Sequence, residues 1–189
     1  MKIGLYFGSF NPIHIGHCII ASHILGHTPL EQVWLVVSPQ NPFKESRSLL
    51  NEYHRLHLAQ LALGGEVNLK VSDIEFHLPK PSYTIDTLTA LKEKYPNHEF
   101  SVVLGSDSYQ NLAKWKNGEI IMRDFDLYVY TRPGFALGGN PGPKVLVLDA
   151  PLLEISSTRI REYIRLKKSI RFLVPEDVRA EIELNGYYR

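Results

Sequence analysis

Cysteine is nearly absent. Cys18 is the only one in 189 residues, so no disulfide can close within the chain, and a reducing compartment is the simple expectation. An excess of either charge is absent too. The 21 Lys and Arg face 20 Asp and Glu, for a formal net charge of +1. That balance argues against a general nucleic-acid binder, yet it leaves room for a small anion held by local charge. No apolar run approaches the roughly 20 residues of a membrane span, and no charged-then-apolar segment opens the chain. Internal repeats, low-complexity tracts and linkers are also missing. These absences lead us to expect a cytoplasmic protein forming one domain over residues 1–189. Neither membrane nor nucleic acid is expected as a partner, and homo-oligomerisation is left open. What is present is ordinary for a globular chain: 44% hydrophobic and 22% charged residues, in a length that can bury a core.

Short apolar runs alternate with helical patterns. Residues 3–7 read as a buried strand, 33–37, 100–104, 127–130 and 145–148 as further strands, and 69–76 as extended. Helices are expected over 18–25 and 52–63, and from a Ser82 cap to about Tyr95. A last helical stretch runs from Ser157 onward, broken near Pro175, which should occupy the first turn of the final helix. This alternation predicts an α/β architecture: a Rossmann-like, doubly wound, mostly parallel sheet with helices on both faces and a C-terminal helical segment. Ligands of such folds bind beyond the carboxyl ends of the strands. The segments that follow strands are GSFNPIHIGH (8–17), SPQNPFK (38–44), GSDSYQ (105–110) and TRPG (131–134), and all four are expected on one rim.

The first of these segments is the most informative. Gly8, Ser9, Phe10, Asn11, His14, Gly16 and His17 fall on a strand-to-helix turn, where free N–H groups and the positive helix end attract phosphate. Glycine at 8 would let the backbone approach a ligand, and Gly16 would allow close packing. Two imidazoles three residues apart can share one side of the turn. A zinc site would need a third ligand, and the only cysteine adjoins His17. His23 with His27, and His54 with His57, read as surface or packing histidines. Near the other end, Ser156, Ser157 and Thr158 offer hydroxyls at a helix start, and Arg161 in its first turns suits a phosphate. Arg161, Arg165 and Lys168 should form one basic stripe. Lys44 could reach a triphosphate from the rim, and Arg132 adds a cation after a strand. Asp107, after Gly105, could accept from a ribose hydroxyl. Trp115 could stack on a flat heterocycle, and Thr84 opens a helix whose backbone donors could meet a carboxylate.

Both motifs resemble signatures of the nucleotidyltransferase superfamily of adenylyl- and cytidylyltransferases. Residues 8–17 match its G-[ST]-F-[DN]-P-x-H-x-G-H turn, and residues 155–161 match its I-S-[ST]-[ST]-x-[IVL]-[RK] segment. Within that superfamily the chain is similar to the bacterial nicotinate-nucleotide adenylyltransferases, through the loop ending at Lys44, SYTIDTL (82–88), Gly105-Ser106-Asp107, Trp115 and YTRPG (130–134). Two positions depart from the pattern: Asn11 stands where many bacterial members carry Asp, and Phe43 where a His often precedes the lysine. The resemblance implies AMP transfer from ATP to nicotinate mononucleotide in NAD biosynthesis, with Mg²⁺ held mainly by the ATP phosphates. Nicotinamide mononucleotide, or both nucleotides, is the alternative substrate, and a non-catalytic ATP sensor a remote one. It further implies His14 and His17 on the triphosphate, with His17 nearest the α-phosphate. Lys44 and Arg161 would hold the outer phosphates with Ser157 and Thr158. Asp107 would take a ribose hydroxyl, and Trp115 the pyridine ring. Backbone donors near Thr84 and Trp115 would receive the carboxylate. Asn11 and Arg132 are expected on the mononucleotide side.

Overall fold

The structure, a computed structural model, describes residues 1–40, 48–138, 141–151 and 153–189. Six strands form one sheet: β1 (Lys2–Gly8), β2 (Gln32–Val37), β3 (Leu69–Ser72), β4 (Glu99–Gly105), β5 (Leu127–Tyr130) and β6 (Val145–Leu148). Their order is β3-β2-β1-β4-β5-β6, and each neighbouring pair is parallel. The expected mostly parallel sheet is thus parallel throughout its described strands. Central strands of such a sheet are covered on both faces, so they read as continuous apolar runs rather than alternations; β2, QVWLVV, is buried along its whole length.

Two cores sit on the two faces. Alternate residues of one strand serve different cores: Val33, Leu35 and Val37 of β2 join one, Trp34 and Val36 the other. The first core receives α1 (Ile15–His27), α2 (Glu52–Leu63), α6 (Ser157–Arg165) and α7 (Glu176–Asn185). They contribute Ile20 and Ile24, Leu58 and Ala59, Ile160, and Val178 and Ile182 respectively. The second receives α3 (Thr84–Lys94) and α5 (Gly118–Asp124) through Leu88, Leu91 and Ile121. A one-turn helix, α4 (Ser106–Gln110), leaves the end of β4.

Several local expectations are corrected. Helix α1 begins at Ile15, capped by an extended His14, because a first turn needs no apolar periodicity. The extended reading of 69–76 fails after Ser72. Its hydroxyl accepts from the Ile74 N–H at 3.3 Å, and the chain turns into a 3-10 helix over Ile74–His77. Ser82 does not cap α3, since its hydroxyl donates to Glu75 at 2.6 Å, and Tyr83 takes the N-cap position. Pro175 is the N-cap of α7 rather than part of its first turn. Lys168 leaves the basic stripe: α6 ends at Arg165, Lys167 turns left-handed (φ 55°), and the Lys168 N–H returns to the Tyr163 carbonyl at 2.8 Å.

Candidate active site

In a sheet of this order the connections run to opposite sides from β1 and β4, which opens a crevice at their carboxyl ends. Two adjoining cavities occupy it, of about 560 Å³ and about 300 Å³. Ser9, His17, Asp107, Arg132, Ser157 and the tyrosines 6 and 130 line both. Three of the four expected rim segments therefore meet here through described residues, and Ser38 brings the start of the fourth. Lys44 lies outside the described residues.

The larger cavity runs from the β1–α1 turn to the start of α6. His14 and His17 stack with ring centroids 3.7 Å apart. The His14 N–H donates to His17 Nδ1 at 3.2 Å, so a neutral His17 carries its proton on Nε2. Gly16 is bare where a Cβ would sit 3.1 Å from the His14 ring. Burial, reinforced by the Arg132 charge, lowers the His14 pKa to about 4. Helix α6 is bolted onto the same turn. Ser157 Oγ donates to the Pro12 carbonyl at 2.9 Å, and Arg161 Nη1 to the Asn11 carbonyl at 2.7 Å. Arg161 also reaches Thr158 Oγ1 at 3.3 Å, so half of its fork is spent on the protein. Ser156 is the N-cap, accepting from the Arg159 N–H.

Arg132 sits on the wall common to both cavities rather than on the mononucleotide side alone. Its Nη1 pairs with Asp107 Oδ2 at 3.0 Å. Asp107 is therefore half committed before any sugar arrives. Gly105 lines neither cavity. A Cβ there would lie 2.5 Å from Asp107 Oδ1 and 2.8 Å from Arg132 Cδ, so the bare backbone makes room for this ion pair. Three buried atoms have no hydrogen-bond partner among the described residues and face this region: His14 Nδ1, Asp107 Oδ1 and Arg161 Nε. Buried orphans of this kind are rare and mark a place where a ligand completes the bonding.

The smaller cavity is walled by Tyr83, Thr84, Trp115 and Lys116, with Glu75 and Ser82 behind them. The first N–H groups of α3 have no helical acceptor. The Trp115 N–H is spent, because it donates to the Leu112 carbonyl at 3.0 Å; only the indole of that residue remains for a ligand. Its loop is held tightly, since a Cβ on Gly118 would overlap the Leu112 carbonyl. Lys116 pairs with Asp86 at 2.8 Å and lies 4.8 Å from the Tyr83 ring centre.

Two site expectations change character. Asn11 lines the larger cavity rather than the smaller one, and its side chain is partly committed: it donates to the Ser48 carbonyl at 2.8 Å and accepts from the Leu50 N–H at 3.1 Å. Gly8 lines the smaller cavity, and its missing side chain also makes room for the Phe10 ring, which lies 2.8 Å from where a Cβ would sit. Phe10 itself is buried with φ 44° and packs edge-on against His17. Away from the crevice, His54 bonds the Tyr187 hydroxyl at 3.0 Å and His57 lies 3.7 Å from Glu181, while His23 stacks on His27. Among the described residues no cluster of three His, Cys, Asp or Glu could hold a metal ion, and no helix is long and apolar enough to cross a membrane.

Besides the tyrosines 6 and 130, two buried residues went unread in the sequence. Arg55 is fully buried on α2 and donates to the carbonyls of Ser9, Ser38, Pro39 and Leu50 at 2.6 to 3.0 Å. It thereby ties the exits of β1 and β2 together. The signal was its place on the apolar face of α2, three and four residues before Leu58 and Ala59. Glu75 is buried too, accepting from Ser82 and Thr87 at 2.6 and 2.9 Å, with burial raising its pKa. No periodicity announces it, because it lies on an irregular turn.

Residues 5–163 match the family described as cytidylyltransferase-like. A Flavobacterium johnsoniae protein named "Probable nicotinate-nucleotide adenylyltransferase" is 48% identical, with all of both chains covered. A Cytophaga hutchinsonii protein of the same name is 49% identical over all of this chain and 98% of its own. In fold, the chain is similar to Plasmodium falciparum nicotinic acid mononucleotide adenylyltransferase complexed with NaAD. The TM-score is 0.84 at 22% identity, over 99% of this chain and 97% of that one. The crevice between β1 and β4 and these full-length likenesses agree: the chain belongs to the cytidylyltransferase-like family.

Proposed function

We propose that this protein transfers AMP from ATP to nicotinate mononucleotide, releasing pyrophosphate and forming nicotinate adenine dinucleotide. The observation that carries this reading is the pair of adjoining cavities with one common wall. One cavity is rich in phosphate-binding groups, and the other combines a flat aromatic wall with a helix start. Two substrates can lie end to end there, with their phosphates meeting at His17, Arg132 and Ser157. The names of the full-length relatives point the same way.

In this reading the triphosphate lies between the histidine turn and the start of α6. His14, His17, Thr158 and Arg161 surround it, and Ser9 and the Gly16 backbone line its path. Asp107 Oδ1 accepts from a ribose hydroxyl of the adenosine. The pyridine ring rests on Trp115, and its carboxylate meets the N–H groups of Thr84 and Ile85 at the positive end of α3. An oxygen of the mononucleotide phosphate attacks the α-phosphorus, the bond to the β-phosphate oxygen breaks, and pyrophosphate leaves with that electron pair. The nucleophile belongs to the substrate, so no activated side chain is required. Alignment of the reactants supplies roughly 7–11 kcal/mol of barrier reduction, and each fixed donor to developing charge about 2.7–4 kcal/mol. Mg²⁺ enters as part of the MgATP substrate and neutralises phosphate charge. The imidazoles, hydroxyls and guanidinium groups of the crevice suit phosphate oxygens, and its carboxylates Asp107, Glu75 and Glu154 do not form a cluster that would hold Mg²⁺ apart from the nucleotide.

The test is pyrophosphate release from ATP with each of the two mononucleotides in turn. We expect kcat/KM for nicotinate mononucleotide to exceed that for the amide by at least tenfold, on the order of 1.4 kcal/mol. Equal or reversed values would replace the acid by the amide, and no release with either would remove the reading.

A further inference from the structure

The wall common to the two cavities contains a tyrosine pair that no expected role used. Tyr6 on β1 and Tyr130 on β5 belong to strands separated by β4, yet their hydroxyl oxygens lie 3.3 Å apart and their rings meet edge-on. The sheet explains how. Tyr6 stands opposite Val103 of β4, and Tyr130 stands opposite Gly105. Because Gly105 has no side chain, the Tyr130 ring leans over it; a Cβ there would lie 3.2 Å from Cζ. The two phenols thus meet above a gap in the middle strand, at the carboxyl end where the ligands lie.

Their hydrogen bonding is incomplete. Two hydroxyls carry two protons, and the bond between them uses one. Among the described residues neither oxygen has any other hydrogen-bond partner, and both residues are buried, at 5% and 6% exposure. One O–H donor is therefore left over in a place where leaving it unpaired is costly. The charged groups nearest in the crevice are Arg132, which only donates, and Asp107, whose Oδ2 is paired to it and whose Oδ1 accepts from neither phenol. Burial raises the pKa of both phenols, so the donor persists at neutral pH.

Resting on the adenylyl-transfer reading, we propose that the Tyr6–Tyr130 hydroxyl pair is a further binding group, donating its spare hydrogen bond to the phosphoryl oxygens at the junction of the two cavities. As the new oxygen–phosphorus bond forms and the bond to pyrophosphate breaks, charge gathers on the in-plane oxygens of the α-phosphate. A neutral donor stabilises that charge without transferring its proton and without adding a cation beside Arg132. Either phenol can supply the donor once the other is gone, so the pair acts as a unit.

The experiment is a double-mutant cycle of Tyr6→Phe and Tyr130→Phe, with Tyr128→Phe as a control on the same strand outside both cavities. Turnover of ATP with nicotinate mononucleotide is read alongside ATP affinity by calorimetry and thermal unfolding. Each single variant should lose no more than about threefold in kcat, and the double about 100-fold, well beyond the roughly ninefold product of the single losses. KM for both substrates, ATP affinity and the Tyr128→Phe enzyme should stay within about twofold of the parent. A double variant within twofold of an active parent in kcat would overturn the proposal alone. Losses that appear only in KM, or only through unfolding, would overturn it as well. A parent that joins ATP to neither mononucleotide would remove the underlying reading, and the proposal with it.

Discussion

The two cavities of the crevice are built on opposite principles. Around the larger one, bonding capacity is left open: His14 Nδ1, Asp107 Oδ1 and Arg161 Nε are buried and unpartnered among the described residues. Around the smaller one, the residues that line it alone are largely closed: Glu75 is satisfied by Ser82 and Thr87, Lys116 by Asp86, and the Trp115 N–H by Leu112. Open bonding suits a ligand that brings many charged oxygens and is bound by matching them. Closed bonding suits a ligand recognised by shape, where a rigid wall and a few backbone donors suffice. Under the proposed adenylyl transfer, this contrast fits chemistry at the first cavity and selectivity at the second.

The sharpest way to break this contrast is to remove the clamp beneath both. Replacing Arg55 by Met would leave the carbonyls of Ser9, Ser38, Pro39 and Leu50 without their donor. At about 1–3 kcal/mol for each buried unsatisfied group, partly relieved by water, we expect a loss of at least about 4 kcal/mol in urea unfolding. A loss under about 1 kcal/mol would mean the two strand exits are not held from below. The next largest effect belongs to the open cavity. His17→Ala should lower kcat by about 100- to 1,000-fold while calorimetric ATP affinity and the fold persist, because the lost donor faces charge that develops during transfer. Unchanged turnover would strip His17 of that role.

How much of this was legible beforehand follows the same divide. The strand-to-helix turn at residues 8–17 and the hydroxyl-rich start of α6 are contiguous in sequence, so their residue types and order could be read directly. The sheet was legible because its central strands are buried on both faces and carry unbroken apolar runs. What stayed hidden depends on contacts across the fold. Arg55 looks like any helical arginine until the carbonyls of three separate segments converge on it. Asn11 gives no sign in sequence that Ser48 and Leu50 each bond its amide. Gly105 carries no sign that two phenols and an ion pair gather around it. Pattern finds elements and contiguous motifs, whereas a residue's partners along other strands emerge only with topology.

His14 tests the open cavity by pH. Its folded pKa of about 4 lies below the ordinary 6.5, through burial and then Arg132. The unfolded chain therefore takes up a proton first as pH falls. Stability from this group is intact above pH 6.5, declines as pH drops through 6.5 toward 4, and is flat below. The span is on the order of 3 kcal/mol. Urea unfolding of the parent and of His14→Gln from pH 8 to 4 should show that slope in the parent alone. Parallel curves would mean that the imidazole protonates freely where it sits. For the closed cavity, Trp115→Ala should weaken mononucleotide binding by about 1–3 kcal/mol, the range for stacking on an aromatic wall, and leave ATP binding unchanged. Equal losses for both ligands would erase the division of labour between the cavities.

The smallest effect concerns Asn11, where an amide stands at a position that the family resemblance associates with an acid. Its NH2 donates to the Ser48 carbonyl and its oxygen accepts from the Leu50 N–H. In Asn11→Asp the second bond survives and gains charge, but the first becomes a carboxylate facing a carbonyl. The two changes oppose each other, so the net loss at pH 7 should be only about 1–2 kcal/mol. A protonated Asp can donate to Ser48 again, which raises the folded pKa of that side chain above the unfolded value near 4. The variant should therefore approach the parent's stability below about pH 4 and lose ground as pH rises through the raised folded pKa. Urea unfolding of both proteins at pH 4 and pH 7 measures this directly. A deficit of equal size at the two pH values would mean that the Ser48 contact contributes nothing to holding the Asn11 side chain in place.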